Sequence, residues 1–145
     1  MCVGTADCLP VVISNTDGNA VSVVHAGWRG LAEGVLQNAV AHFDQSDQLH
    51  AWFGPAIGPD VFEVSSEVVN LFLANNQQNA VAFKPAGDGK FMADIYALAR
   101  LALTRHRPFV ITGGEHCTFT QAALFHSHRR DGAASGRMAT FAWIE

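Results

Sequence analysis

Two short valine-rich runs, Val11 to Ser14 and Val21 to His25, flank the turn residues Asn15-Thr16-Asp17-Gly18-Asn19 and predict a β-hairpin. From Leu31 to Phe43, the apolar residues Leu31, Val35, Leu36, Ala39, Val40 and Phe43 follow the three-and-four spacing of a helix with one buried face. Gly30 lets the chain turn sharply into it. Ala51-Trp52-Phe53 reads as a strand closed by Gly54-Pro55, and Gly58-Pro59 adds a second break. Ser65 and Ser66 precede Val68, Val69, Leu71, Phe72 and Leu73, so a capped helix is predicted to run to about Asn75. Val81-Ala82-Phe83 looks like a strand. Asp94 offers an N-cap to a helix through Arg105 with Ile95, Leu98, Ala99 and Ala102 inward, and Pro108 follows its end. Phe109 to Thr112 and Thr140 to Ile144 complete the strands. Strands alternating with about three helices predict an α+β fold, a layered α/β sandwich with mixed β-sheets.

At 145 residues the pattern fits one domain over 1–145, and a chain of this size buries roughly 68–70% of its unfolded surface. With 49% hydrophobic and 15% charged residues it is a globular chain, and so little charge points to apolar surface that something else covers. Cys2-Val3-Gly4 reads as the end of a strand with no earlier element to explain it. The pattern therefore predicts an N-terminal truncation. A net charge of −4 offers no general attraction for nucleic acid, so any anion site is built locally. No apolar run reaches the roughly 18 residues of a membrane span, and Met1-Cys2-Val3-Gly4 lacks the basic start of a signal peptide. The expectation is a cytoplasmic protein. Cys2, Cys8 and Cys117 are odd in number and lack Cys-x-x-Cys spacing, which favours reduced thiols.

Cys8 and His25 stand at neighbouring ends of the predicted hairpin, where a thiol and an imidazole can share a metal or act as nucleophile and base. A lone buried cysteine is more often a small hydrophobe, but Asp7 and Pro10 break the apolar pattern around this one. Packing alone accounts poorly for Ala26-Gly27-Trp28-Arg29-Gly30 after His25, because two glycines bring backbone close to something. Arg29 is a candidate for gripping phosphate or carboxylate, against the plainer reading of a salt bridge at a helix entry. Phe125 to Gly132 gathers His126, His128, Arg129, Arg130 and Asp131, with Arg137 close behind: a solvated loop or an anion-binding one. On a strand, His126 and His128 would share a face like alternating copper ligands, yet a multicopper oxidase needs several such pairs.

The segments TADCLPV from Thr5, HAGWRGL from His25, GPAIGP from Gly54 followed by FEV, Asp94-Ile95, Cys117-Thr118, SHRRDG from Ser127 and GRMA from Gly136 resemble the bacterial YfiH-type laccase-domain family. The resemblance runs in order over nearly the whole chain. It implies a cytoplasmic purine nucleoside phosphorylase acting on adenosine, inosine, guanosine and methylthioadenosine with phosphate, with adenosine deamination as a second activity. It also implies a zinc site, copper being the less favoured metal, with Cys8 and His25 as two ligands and a third histidine in an upstream His-Gly segment that this chain lacks. His116, His126, His128 or a second chain are the candidates to replace it. Arg29 and Arg129 are then expected to hold phosphate or ribose, with Cys8 and His25 as the reactive centre. Two further readings stand beside this one: a cysteine hydrolase or deamidase using a Cys8–His25 dyad, and a non-catalytic fragment or binding module, since one metal-ligand histidine is missing; self-association is a separate expectation.

Overall fold

The structure, a computed structural model, describes residues 1–105 and 107–145. The predicted hairpin forms from β2 (Leu9–Asn15) and β3 (Val21–Ala26), preceded by β1 (Cys2–Thr5). Strand alternation in β2 sends Leu9, Val11 and Ile13 into the core at 0% exposure, while Val12 and Ser14 face the other way. The sheet continues through β4 (Leu49–Phe53) and, in order β3-β2-β4-β8, ends at β8 (Phe109–Gly113). Only the β4–β8 pairing is parallel, so this sheet is mixed.

Against its inner face lie α1 (Trp28–Ala32), α2 (Val35–Val40) and α4 (Ile95–Thr104), while α3 (Ser66–Asn75) packs on α1 and on the short strands around Val64 and Ala93. Asp94 caps α4 as expected, its Oδ1 accepting the Ala97 N–H at 2.9 Å. A second, antiparallel sheet takes the order β5-β7-β6 from β5 (Glu63–Ser65), β6 (Phe83–Gly87) and β7 (Lys90–Ala93). One helical turn, α5 (His128–Asp131), leads toward β9 (Met138–Phe141), which pairs with β1 and so joins the two ends of the chain. The α+β expectation, with mixed sheets, is met.

The single helix expected from Leu31 to Phe43 is two, because Gly34 adopts φ 83°, a left-handed conformation that interrupts the helical ladder. Val81 and Ala82 belong to a 3-10 turn, Gln77–Ala82, capped when the Asn76 side chain accepts the Gln78 N–H; the strand starts only at Phe83. The last strand stops at Phe141, where its partner β1 runs out, and leaves Trp143 and Ile144 beyond it. β5 and β7 had no legible pattern. Each is short and gains its strand character from pairing with the other.

The other face of the four-stranded sheet is covered only in part. Val12 pairs with Trp52, His50 pairs with Val110, and β9 lies against the same face around Val12 and Trp52. Trp52, Val110, Phe141 and Trp143 are 42%, 54%, 61% and 66% exposed.

Candidate functional site

Cys8 ends the bend that leads into β2, and His25 is the next-to-last residue of β3, across from Pro10. Alternation buries Val24 and Ala26 and turns His25 to the exposed face. The chain then passes close to both donors at Gly27. A Cβ placed there would lie 3.0 Å from Cys8 Sγ and 3.7 Å from His25 Nε2. Thiol and imidazole thus face one small space, and only a glycine leaves it free.

A cleft of about 190 Å³ opens beside Cys8, walled by Trp28, Ile57, Phe62 and Ile95, with His128 and Arg129 at its polar side. The Arg129 guanidinium lies 5.6 Å from the centre of the Phe62 ring and donates two 3.1 Å hydrogen bonds to the Glu63 carbonyl. Arg29 is not in this wall. Its guanidinium stacks 4.4 Å over Trp28, which is, and among the described residues it forms no ion pair. The structure therefore brings Cys8, His25 and Arg129 to one region and places Arg29 behind an indole.

Asp7 was not singled out by its sequence context as more than a break in the apolar pattern. It is 8% exposed, and its carboxyl accepts the Thr118 hydroxyl at 2.6 Å and the Arg129 N–H at 2.6 Å. Its own carbonyl accepts the Ile57 N–H at 3.0 Å. Arg137 is a second residue whose place was not legible, and its charge reaches Cys8 from across the chain. The only signal for either was proximity to TADC or to the basic tail.

Burial pushes the Cys8 thiol above its ordinary value and the Asp7 carboxylate adds to this, while Arg137 opposes both. A thiol held neutral is a poor nucleophile, which weakens the dyad reading. Thiolate and imidazole do suit zinc in kind, and metal binding deprotonates a thiol outright. In number they fall short of the three protein ligands of a catalytic zinc. Among the described residues no group of three His, Cys, Asp or Glu side chains converges to hold a metal. His128 lines the cleft but does not complete such a group. His126 and His128 are not on a strand, since Ser127 is the cap of α5, and His126 packs instead against Gly136. The copper-like spacing therefore carries no geometry.

His116 lies elsewhere, with Cys117, Tyr96 and Arg100 around a separate cavity of about 340 Å³. Burial would raise the Cys117 thiol, but hydrogen bonds from Thr120, Gly58 and Phe119 outweigh it and set the thiol below its ordinary value. A third cavity, about 240 Å³ between α1, α3 and α4, is lined by no cysteine or histidine among the described residues.

The family described as "Multi-copper polyphenol oxidoreductase laccase" matches residues 1–145. A Shigella flexneri protein named purine nucleoside phosphorylase YfiH is 49% identical over 141 residues, covering 97% of this chain and 57% of that protein. A protein of an unknown prokaryote named adenosine deaminase RL5 is 35% identical over 145 residues, covering 95% of this chain and 55% of that one. The solved structure of Neisseria meningitidis protein NMB0706 superposes with a TM-score of 0.93 at 48% identity, covering 99% of this chain and 60% of that one. The chain thus spans rather more than half the length of the relatives it matches.

Proposed function

Because this chain belongs to the multi-copper polyphenol oxidoreductase laccase family, we propose that it carries the reactive centre of a purine nucleoside phosphorylase, with Cys8 and His25 at its heart. The observation that carries this reading is the convergence of Cys8 Sγ and His25 Nε2 on the bare Cα of Gly27, beside a cleft that Arg129 enters. Relatives named purine nucleoside phosphorylase support a purine nucleoside and phosphate as the substrate class, and within it we propose adenosine, inosine, guanosine or methylthioadenosine as the nucleoside.

In phosphorolysis a phosphate oxygen bonds to the ribose C1′ as the C1′–N9 bond breaks, and the electron pair of that bond leaves with the purine. Positive charge gathers on the sugar, so rate depends on holding the anion in place and helping the base depart. Arg129, with unused N–H groups on its fork, binds phosphate at the cleft wall, and Trp28 offers a flat face to purine or ribose. Arg29, stacked behind Trp28, holds that ring and adds positive charge for the anion. In the absence of a metal, His25, exposed at the strand end, exchanges a proton with the substrate. Cys8 and His25 would hold zinc, which when bound supplies a Lewis acid. Adenosine deamination, in which a water oxygen replaces the C6 amino group and ammonia leaves, uses the same centre; a relative named adenosine deaminase supports it.

The zinc site lacks its third protein ligand among the described residues, and the cleft of about 190 Å³ is smaller than the roughly 300–1,000 Å³ of ordinary ligand pockets. Both facts support reading 1–145 as the larger part of one laccase-domain unit, completed by an upstream segment that brings a histidine and a further wall. The chain's setting is the cytoplasm, and no helix among the described residues is long and apolar enough to cross a membrane.

The test measures zinc content, inosine phosphorolysis and adenosine deamination on this chain and on one extended upstream to the length of its relatives. Activity and zinc are expected in the longer chain and should vanish with Cys8→Ala or His25→Ala. Phosphorolysis undiminished by Cys8→Ala overturns the assignment. Alkylation of Cys8 that ablates activity identically with and without a chelator would instead support the cysteine-hydrolase reading.

A further inference from the structure

We propose that Asp7 is a positioning residue: its carboxyl fixes Arg129 over the cleft and so sets how tightly the anionic substrate is held. The inference rests on the phosphorolysis reading above for its substrate, but the clamp itself rests on geometry. Asp7 has φ 85°, one of two non-glycine residues in the left-handed region among the described residues. A side chain there is strained unless its surroundings over-determine it, with Asp and Asn strained least. Here the surroundings do so. One carboxyl oxygen takes the Thr118 hydroxyl at 2.6 Å, the other takes the Arg129 N–H at 2.6 Å, and the Asp7 carbonyl takes the Ile57 N–H at 3.0 Å.

These partners are 111 and 122 residues away in sequence, so one buried carboxyl ties the bend carrying Cys8 to the loop carrying Arg129. A second brace runs in parallel. The Arg130 guanidinium donates to the carbonyls of Thr118 at 2.8 Å and Phe119 at 3.0 Å, and to Phe125 at 3.0 Å. Arg130 thus holds the loop to Thr118, while Asp7 fixes the backbone of Arg129. With its main chain pinned and two N–H groups on the Glu63 carbonyl, the Arg129 fork is set before an anion arrives. Asp7 acts through Arg129 and does not itself contact the reacting atoms.

Two substitutions separate the carboxyl from the backbone conformation. Asp7→Gly keeps positive φ without strain and removes both hydrogen bonds. Asp7→Asn tolerates the same φ and preserves both, because its amide oxygen accepts from Arg129 while its NH2 donates to the Thr118 hydroxyl. In the upstream-extended chain, Asp7→Gly is expected to raise the KM for phosphate about tenfold, as loss of a charge-assisted hydrogen bond implies, while the KM for inosine changes far less. Asp7→Asn should restore the phosphate KM to near the parent value. A phosphate KM unchanged in Asp7→Gly, or both KM values raised alike, overturns the proposal.

Hydrogen exchange of the Arg129 amide and calorimetric binding of inorganic phosphate read the clamp without turnover. Protection of that amide and phosphate affinity should fall together in Asp7→Gly and return in Asp7→Asn. Full protection retained in Asp7→Gly refutes the clamp. If Asp7→Gly fails to fold, Thr118→Val removes one of the two bonds and should produce the same effects at smaller size; no change in either readout refutes the proposal equally. Absence of phosphorolysis in the parent chain, with amide protection and phosphate binding still responding to Asp7, would refute the assigned reaction and leave the clamp standing.

Discussion

Cys8 and His25 owe their meeting to a residue with no side chain. At Gly27 an added methyl would sit 3.0 Å from Cys8 Sγ, tighter than ordinary contact, in a place where the backbone φ of −70° suits any residue. Gly27→Ala is therefore expected to displace the thiol while leaving the helix entry intact. Measured in the longer chain, zinc content and phosphorolysis should fall about tenfold or more, with the melting temperature within a few degrees of the parent. Of the candidate residues, Cys8, His25 and Arg129 were legible because strand ends and a basic loop mark themselves by composition. Asp7 was not, because its partners Thr118 and Arg129 lie on distant segments and its positive φ leaves no mark in a sequence.

Among the elements, α4 ties together the chain segments at Ala56 and His116. Tyr96 on its first turn accepts the buried Ala56 N–H at 2.8 Å and donates to the His116 carbonyl at 2.7 Å. Tyr96→Phe leaves both groups without a partner, and a loss of about 1–3 kcal/mol is expected, read as a lower melting temperature. Burial, only partly opposed by the Ala56 hydrogen bond, pushes the Tyr96 hydroxyl up from 10 to about 12. The folded state thus keeps the proton that the unfolded state loses. The stabilisation is whole below pH 10 and is lost as pH rises toward 12, so Tyr96→Phe should flatten the fall of melting temperature over that window. The hairpin, α3 and α4 were readable from periodicity and caps. The split between α1 and α2 was not, because Gly34 lies within an otherwise unbroken apolar stripe and only its left-handed φ reveals a stop.

On the scale of the whole molecule, the sheet face displays exposed apolar residues of the kind that low charge pointed to. Trp52, Val110, Phe141 and Trp143 are too exposed and too near one another to be scattered surface residues. This chain by itself is expected to bind an apolar dye strongly and to self-associate with rising concentration in sedimentation. Trp52→Ser with Trp143→Ser should reduce both, and the upstream-extended chain should show neither. A monomeric, dye-silent chain of 145 residues would show that the face is content with water.

By itself the sequence determined the hairpin, the two longest helices, the α+β class and the pair Cys8 and His25, since each depends on local periodicity, a cap or a turn within a few residues. Tertiary structure alone decided the β5-β7-β6 sheet, the closure of β1 on β9, the placing of Arg29 behind Trp28 and the linkage of Asp7 to Arg129. The physical reason is common to all four. Each is a contact between segments far apart in the chain, and its energy comes from pairing or burial that neither segment contains alone.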